Sequence, residues 1–114
     1  MSQHFFKTNF NGDAVWCMLG WDRPLQGFFC LVSLVDDSQF DGEGTLYSNL
    51  DDPQLEHSNG FSPEIGYFRK VLEGMDISLP TPMLDAIQVD AVVDRGNRGV
   101  VWNASGEIVS DDPL

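Results

Sequence analysis

The sequence predicts an α+β protein, namely an antiparallel meander of three to four strands covered by two helices, plus a short C-terminal hairpin. Two β-rich runs flank a proline-containing turn, two helix starts carry a cap residue followed by proline, and a glycine turn separates two short apolar runs near the end. The length of 114 residues lies within the usual size of one domain, so we expect a single domain over residues 1–114.

The strongest local signal lies in the first third of the chain. Residues 3–8 form a predicted first strand, and a turn over residues 9–13 follows it. Residues 14–21 and 27–35 are β-rich runs on either side of a short connection, in which Pro24 suits a turn and not a central strand. These two runs predict a β-hairpin.

The register of this hairpin predicts two apolar faces. If Asp22 and Gly27 close the loop, paired positions sum to 49 and alternate residues share a face. One face then carries Val15, Cys17, Leu19, Trp21, Phe28, Cys30, Val32 and Leu34, and the other carries Ala14, Trp16, Met18, Phe29, Leu31 and Val35. Because both faces need cover, we expect helices over one and a loop, another sheet or a second subunit over the other.

Two cysteines lie in these runs, and the chain shows no targeting pattern. Cys17 and Cys30 are diagonal neighbours in the predicted register, and we expect both thiols to be reduced and buried. No stretch approaches the ~20 apolar residues of a membrane span, and the start lacks the basic-then-apolar pattern of a signal peptide. We therefore expect a bacterial-type cytoplasmic protein.

The second half of the chain predicts two helices. The first begins with Ser62 as the N-cap and Pro63 at the first helical position, and it ends before Gly74. Its apolar stripe consists of Ile65, Phe68, Leu72 and Met75. The second begins at Thr81-Pro82 and has a stripe of Met83, Leu84, Ile87 and Ala91. A helix is favoured there, while the apolar alternation within residues 86–93 leaves a strand as the alternative.

Short strands complete the predicted fold. Residues 45–49 form one further strand after a polar loop. Residues 99–103 and 107–110 form the C-terminal hairpin, and residues 111–114 are expected to fray.

The chain is strongly acidic, and the acidity is concentrated in its middle. Eighteen Asp and Glu residues against six Lys and Arg give a formal charge of −12, which disfavours nucleic-acid and anionic-membrane binding. Residues 36–57 contain no Lys or Arg, and their carboxylates are Asp36, Asp37, Asp41, Glu43, Asp51, Asp52 and Glu56. These seven residues form a predicted surface for a basic protein partner, and a solvated loop that maintains solubility is the alternative.

No pattern for metal binding or catalysis emerges from the sequence. With Asp37 at position 1 of an EF-hand loop, Ser48 occupies position 12, where a bidentate Glu is required, so only an irregular weak cation site is left open. His4 and His57 are far apart and are expected at the surface. We predict no catalytic, cofactor-binding or metal-binding residue.

Four aromatic residues of the hairpin form a second candidate surface, for a dimer partner or a ligand. These are Trp16, Trp21, Phe28 and Phe29. The segment Gly20-Trp-Asp-Arg-Pro-Leu-Gln-Gly-Phe-Phe29 resembles a hairpin shared by small uncharacterised bacterial proteins. The resemblance covers about ten residues and implies no activity, ligand or catalytic residue.

These observations favour a non-enzymatic acidic protein-interaction or accessory module that forms a homodimer. One alternative is a small-molecule-binding protein or small enzyme with a pocket over the aromatic hairpin face. Another is an acidic mimic of nucleic acid that occupies a basic protein groove.

Overall fold

The computed structural model describes residues 1–35 and 44–112 of the chain. The strands are β1 (Ser2–Phe10), β2 (Asp13–Asp22), β3 (Gly27–Leu34), β4 (Thr45–Ser48), β5 (Arg98–Trp102) and β6 (Ile108–Asp112). The helices are α1 (Ile65–Glu73) and α2 (Thr81–Val92), and two 3₁₀ helices cover Asn49–Asp51 and Pro53–Ser58. The predicted α+β class, with a helix rather than a strand over residues 86–92, is confirmed.

The strands form one mixed sheet of six strands in the order β4-β3-β2-β1-β5-β6. The meander β1 to β4 is antiparallel, and the β2–β3 hairpin has the predicted register, with Cys17 opposite Val32 and Trp21 opposite Phe28. The C-terminal hairpin joins this meander through a parallel pairing of β5 with β1, in which Phe5 lies opposite Val101. That parallel contact has no local sequence signal, because it joins residues nearly a whole chain length apart.

The β1–β2 connection is a tight turn of the type that hairpins prefer. Asn11 and Gly12 both have positive φ angles, 51° and 86°, as a type I′ turn requires. Asn and Gly tolerate this backbone region best, so the local sequence itself sets the predicted turn.

Both helices pack on one face of the sheet. The fully buried residues Phe68 and Leu72 of α1 and Met83 and Ile87 of α2 belong to the predicted stripes. They share a core with the inward-facing hairpin residues, which include Val15, Cys17, Leu19, Cys30 and Val32. The alternation of the strands therefore buries one of the two predicted apolar faces beneath the helices.

The start of α1 and the end of the chain differ from prediction. Ser62 is not the N-cap: its backbone pairs with Phe28 beside β3, and its hydroxyl accepts a hydrogen bond from the Glu64 amide. The helix therefore begins at Ile65, two residues beyond Pro63.

The predicted fraying from residue 111 is also wrong within the described residues, because Asp111 and Asp112 pair with β5. Residues 113–114 lie outside the described residues.

Candidate functional site

The sheet face that points away from α1 and α2 is the most distinctive surface of the described molecule. One row of registered side chains crosses all six strands on this side. The row consists of Ser48, Leu31, Met18, Phe5, Val101 and Ser110. Its four central members are apolar and only partly buried. We call the surface formed by Phe5, Trp16, Met18, Leu31 and Val101 the open face.

The open face holds shallow depressions and is almost free of polar atoms. A depression of about 420 Å³ is lined by the five open-face residues and Ser33. Met18 and Leu31 also line an adjoining depression of about 180 Å³, which is bordered by Phe29, Leu50 and Phe61. Phe5 and Trp16 meet edge to face with their ring centroids 6.3 Å apart. Such a lining offers dispersion and hydrophobic contact but almost no directional recognition.

The four aromatic residues of the predicted dimer or ligand surface are divided between the two sides of the sheet. Trp21 and Phe28 lie under the helices with 7% and 2% of their surface exposed, and their rings contact edge to face. Trp16 belongs to the open face, and Phe29 lies on the same side but is buried. Because neighbouring strand positions alternate, four residues drawn from both faces cannot form one surface.

The predicted acidic surface is described only in its second half. Asp36, Asp37, Asp41 and Glu43 lie outside the described residues, as does most of the loop considered for a weak cation site. Asp51 and Glu56 are exposed, as expected of a solvated charge. Asp52 is partly buried and has a structural role, so the seven carboxylates are not equivalent.

Asp52 joins β4, the second 3₁₀ helix and α1. The hydroxyls of Tyr47 and Tyr67 each donate to its Oδ2 at 2.7 Å, and the Gln54 amide donates to its Oδ1 at 2.9 Å. Burial raises the pKa of Asp52, but these three hydrogen bonds outweigh that effect and hold the pKa below its usual value. Burial and the neighbouring carboxylate raise the pKa of both tyrosines. Both hydroxyls therefore remain protonated donors to Asp52.

A second polar cluster lies in the core around His4, where the sequence predicted a surface histidine. That prediction is wrong, because the His4 side chain is 0% exposed, whereas His57 is exposed as expected. His4 Nε2 lies 2.6 Å from Asp90 Oδ2, and the Trp102 indole nitrogen donates to His4 Nδ1 at 2.9 Å. Ser2, His4 and Phe6 alternate along β1 and therefore lie together on the covered side of the sheet. This alternation is the sequence signal that would have predicted a buried His4.

Asp90 is the centre of this buried cluster. Its Oδ1 accepts from Arg95 Nε at 2.8 Å and from Arg98 Nη1 at 3.0 Å, and Arg98 also pairs with Asp111. Burial raises the pKa of Asp90, but hydrogen bonds from His4 and Ser2 and the positive charge of Arg98 outweigh it and lower the pKa. The cluster therefore joins β1, α2 and β5 through a charged carboxylate with full hydrogen bonding.

The contacts of His4 determine its tautomer. An indole N–H can only donate, so Nδ1 carries no proton and the N–H is on Nε2, pointing at Asp90. An aspartate that orients a histidine is familiar from catalytic triads, but there the other ring nitrogen faces a nucleophile. Here Trp102 occupies that nitrogen, and the ring is sealed from solvent. The arrangement can hold elements together but has no route to a substrate.

The cysteines lie on the covered face as predicted. Both are free and buried, and their strand partners make them diagonal neighbours. Burial raises the pKa of Cys17 to about 12 and also raises that of Cys30, where the neighbouring Cys17 adds to the effect. Neither thiol therefore forms a reactive thiolate at neutral pH.

A third cavity separates the two helices. A groove of about 400 Å³ between α1 and α2 is lined by a mixture of apolar and polar side chains, among them Leu79, Leu84, Arg69 and Glu73. Arg69 and Glu73 are exposed and form an i,i+4 pair at 3.7 Å, which is the ordinary arrangement of a solvated helix surface. Every buried side-chain nitrogen and oxygen of the described residues has a hydrogen-bond partner, so none is left unpaired to receive a ligand in the groove.

Within residues 1–35 and 44–112, no three His, Cys, Asp or Glu side chains are grouped so as to hold a metal ion, and no helix is long and apolar enough to cross a membrane. Comparisons with protein-family models, curated proteins and solved structures found no match to this chain.

Proposed function

We propose that this protein is a non-enzymatic protein-interaction module and that the open face is its interaction surface. The observation that carries the proposal is the contrast between the two sides of one sheet, since α1 and α2 cover only one of them. Exposed apolar patches of this kind are characteristic of surfaces that another protein covers. A protein surface is therefore the occupant that fits the open face.

The lining of the open face favours a protein over a small molecule. Small-molecule sites combine an apolar enclosure with several polar groups that fix the ligand's orientation. The larger depression is wide and shallow, and Ser33 supplies its only hydroxyl. An apolar surface of this shape suits the broad contact of two proteins, in which side chains from both partners interdigitate.

The polar clusters support a module without catalysis. Both nitrogens of His4 and both oxygens of Asp90 have protein hydrogen-bond partners. The tyrosines bonded to Asp52 are held as donors, and the thiols are protonated. These groups supply neither an accessible general base nor a nucleophile, which acid–base or covalent catalysis requires.

The acidic surface is the second part of the proposal. Asp51 and Glu56 are exposed on the first and the second 3₁₀ helix, respectively, and the whole chain carries −12. Such a charge increases the rate of association with a basic protein and makes binding sensitive to salt, while it repels nucleic acid. The open face provides the area of contact. The negative charge of the acidic surface determines which further partners associate with the protein.

Matched variants on the two sides of the molecule test the proposal. Met18→Glu places a charge in the middle of the open face, while Val92→Glu makes the same change at the end of α2, where the side chain is 77% exposed. In an extract of the native host, the wild-type chain and Val92→Glu should elute in an assembly larger than 12.7 kDa, and Met18→Glu should elute as the free chain. Elution of wild type at its chain mass would contradict the proposal, as would release by Val92→Glu alone.

A further inference from the structure

We infer that the occupant of the open face is a second copy of this chain, so that two sheets stack face to face around a two-fold axis. This inference rests on the proposed function, because it names the partner of the same surface. A symmetric contact is the commonest form of protein assembly, and it requires a surface that complements itself.

The size of the open face reaches the lower limit for a specific protein interface. Six strands about 4.8 Å apart are about 25 Å across, and three alternating rows along the strands add about 20 Å. Each copy thus offers roughly 500 Å² in projection, and two copies together bury about 1,000 Å² or more. Specific protein interfaces begin near this value, and stacked sheets normally pack about 10 Å apart with interdigitating side chains.

The charge distribution favours a second copy over other partners. The row through Met18 and Phe5 ends in Ser48 and Ser110 and contains no ionisable side chain. Lys7, opposite Trp16, is the neighbouring cation on this side. Two carboxylates of the described residues lie on this side but outside the row: Asp22, which is buried beside the smaller depression, and Asp112 on the edge strand β6. Two copies can therefore bring their apolar rows together without a carboxylate in the row itself, although each chain carries −12. A basic partner would find no carboxylate in this row, and burying its unpaired cations would be costly.

The composition of residues 36–43 offers few side chains suited to an apolar contact. Residues 36–43 read Asp-Asp-Ser-Gln-Phe-Asp-Gly-Glu, with four carboxylates and one apolar side chain, Phe40. Contact with Leu31, Met18 and Val101 would require a segment with several apolar side chains. The open face of a second copy presents the same number of apolar side chains as the face that it would cover.

Light scattering on the purified full chain tests the inference. From about 1 μM to about 100 μM the mass should be twice 12.7 kDa, and Met18→Glu should weaken self-association at least about 100-fold. Val92→Glu, on the other side of the molecule, should leave the dimer intact. If Met18→Glu fails to fold, Leu31→Gln on the adjacent strand replaces it, since a neutral polar group there disrupts the same contact.

Trp16 gives an independent optical measure of the same contact. Trp21 and Trp102 are buried and hydrogen-bonded within one copy, whereas Trp16 lies on the open face. Acrylamide quenching should therefore increase on dilution, and Trp16→Phe should abolish this concentration dependence. Quenching that is unchanged on dilution through the measured dissociation range would overturn the open-face contact.

The outcomes separate failure of this inference from failure of the proposed function. A purified monomer that enters a larger, Met18-dependent assembly in host extract would overturn the self-contact and leave the interaction module standing. A monomer under both conditions would overturn both. A dimer that persists in folded Met18→Glu would show that the copies meet elsewhere and would also overturn the inference.

Discussion

The two faces of the sheet are built from the same hairpin but differ in how their polar atoms are arranged. On the covered face, α1 and α2 pack against apolar side chains, and the polar atoms of His4, Asp90 and Trp102 bond to one another. On the open face, Met18, Phe5 and Leu31 form an apolar row with few polar groups near them. A core must pair its buried polar atoms, whereas an interface can remain apolar until its partner arrives.

The sharpest test of this comparison truncates one phenylalanine on each face. Phe68→Ala removes a fully buried ring beneath the helices and should reduce the free energy of unfolding by about 3–5 kcal/mol. Phe5→Ala on the open face should cost only about 1–2 kcal/mol in the isolated chain, because its ring is already partly in water. Urea unfolding of both variants at low protein concentration measures the difference. Equal losses would mean that the open face is part of a core.

The next largest effect should come from the charged cluster that joins β1, α2 and β5. Asp90→Asn leaves His4, Arg95 and Arg98 without their carboxylate and should cost about 2–3 kcal/mol at neutral pH. Since folding lowers the pKa of Asp90, its contribution is present above the unfolded value near 4 and is lost as the pH falls below it. Thermal unfolding from pH 7 to pH 3 should therefore show a smaller acid-induced loss in the variant. An identical acid profile would contradict the role of Asp90.

A smaller difference should distinguish two adjacent carboxylates of the acidic segment. Asp52→Ala removes the acceptor for Tyr47 and Tyr67 and should destabilise the chain by about 1–2 kcal/mol. Asp51→Ala, at an exposed position, should change stability by no more than about 0.5 kcal/mol. Denaturant titration of the two variants side by side measures both values. If the two losses were equal, Asp52 would be as solvated as its neighbour.

The cysteines provide the mildest probe of the covered face. Because burial raises the pKa of Cys17 to about 12 and both thiols are inaccessible, a thiol reagent at pH 7 should modify neither in the native protein. Both should react once denaturant is added. Rapid native reaction would show that the covered face opens readily.

Local sequence determined the secondary structure and the hairpin register. Asn11-Gly12 fixes a turn, Pro24 marks a connection, and the alternation around it gives the pairing in which Cys17 faces Val32. The helix stripes of Phe68 and Leu72 also follow from spacing alone. In each case the residues that carry the pattern are close in the chain to the residues whose conformation it predicts. Over such short distances the geometry of the backbone allows few conformations.

The sequence by itself therefore established an α+β chain with a doubly apolar hairpin and a strongly acidic middle. Tertiary structure alone decided which face is covered, that β5 runs parallel to β1, and that His4 meets Asp90 and Trp102. It also gave Asp52 a structural role that its neighbour Asp51 lacks, because Asp52 accepts hydrogen bonds from two tyrosines. These contacts join residues up to 98 positions apart, and the energetic benefit of such contacts appears only once the whole chain has packed.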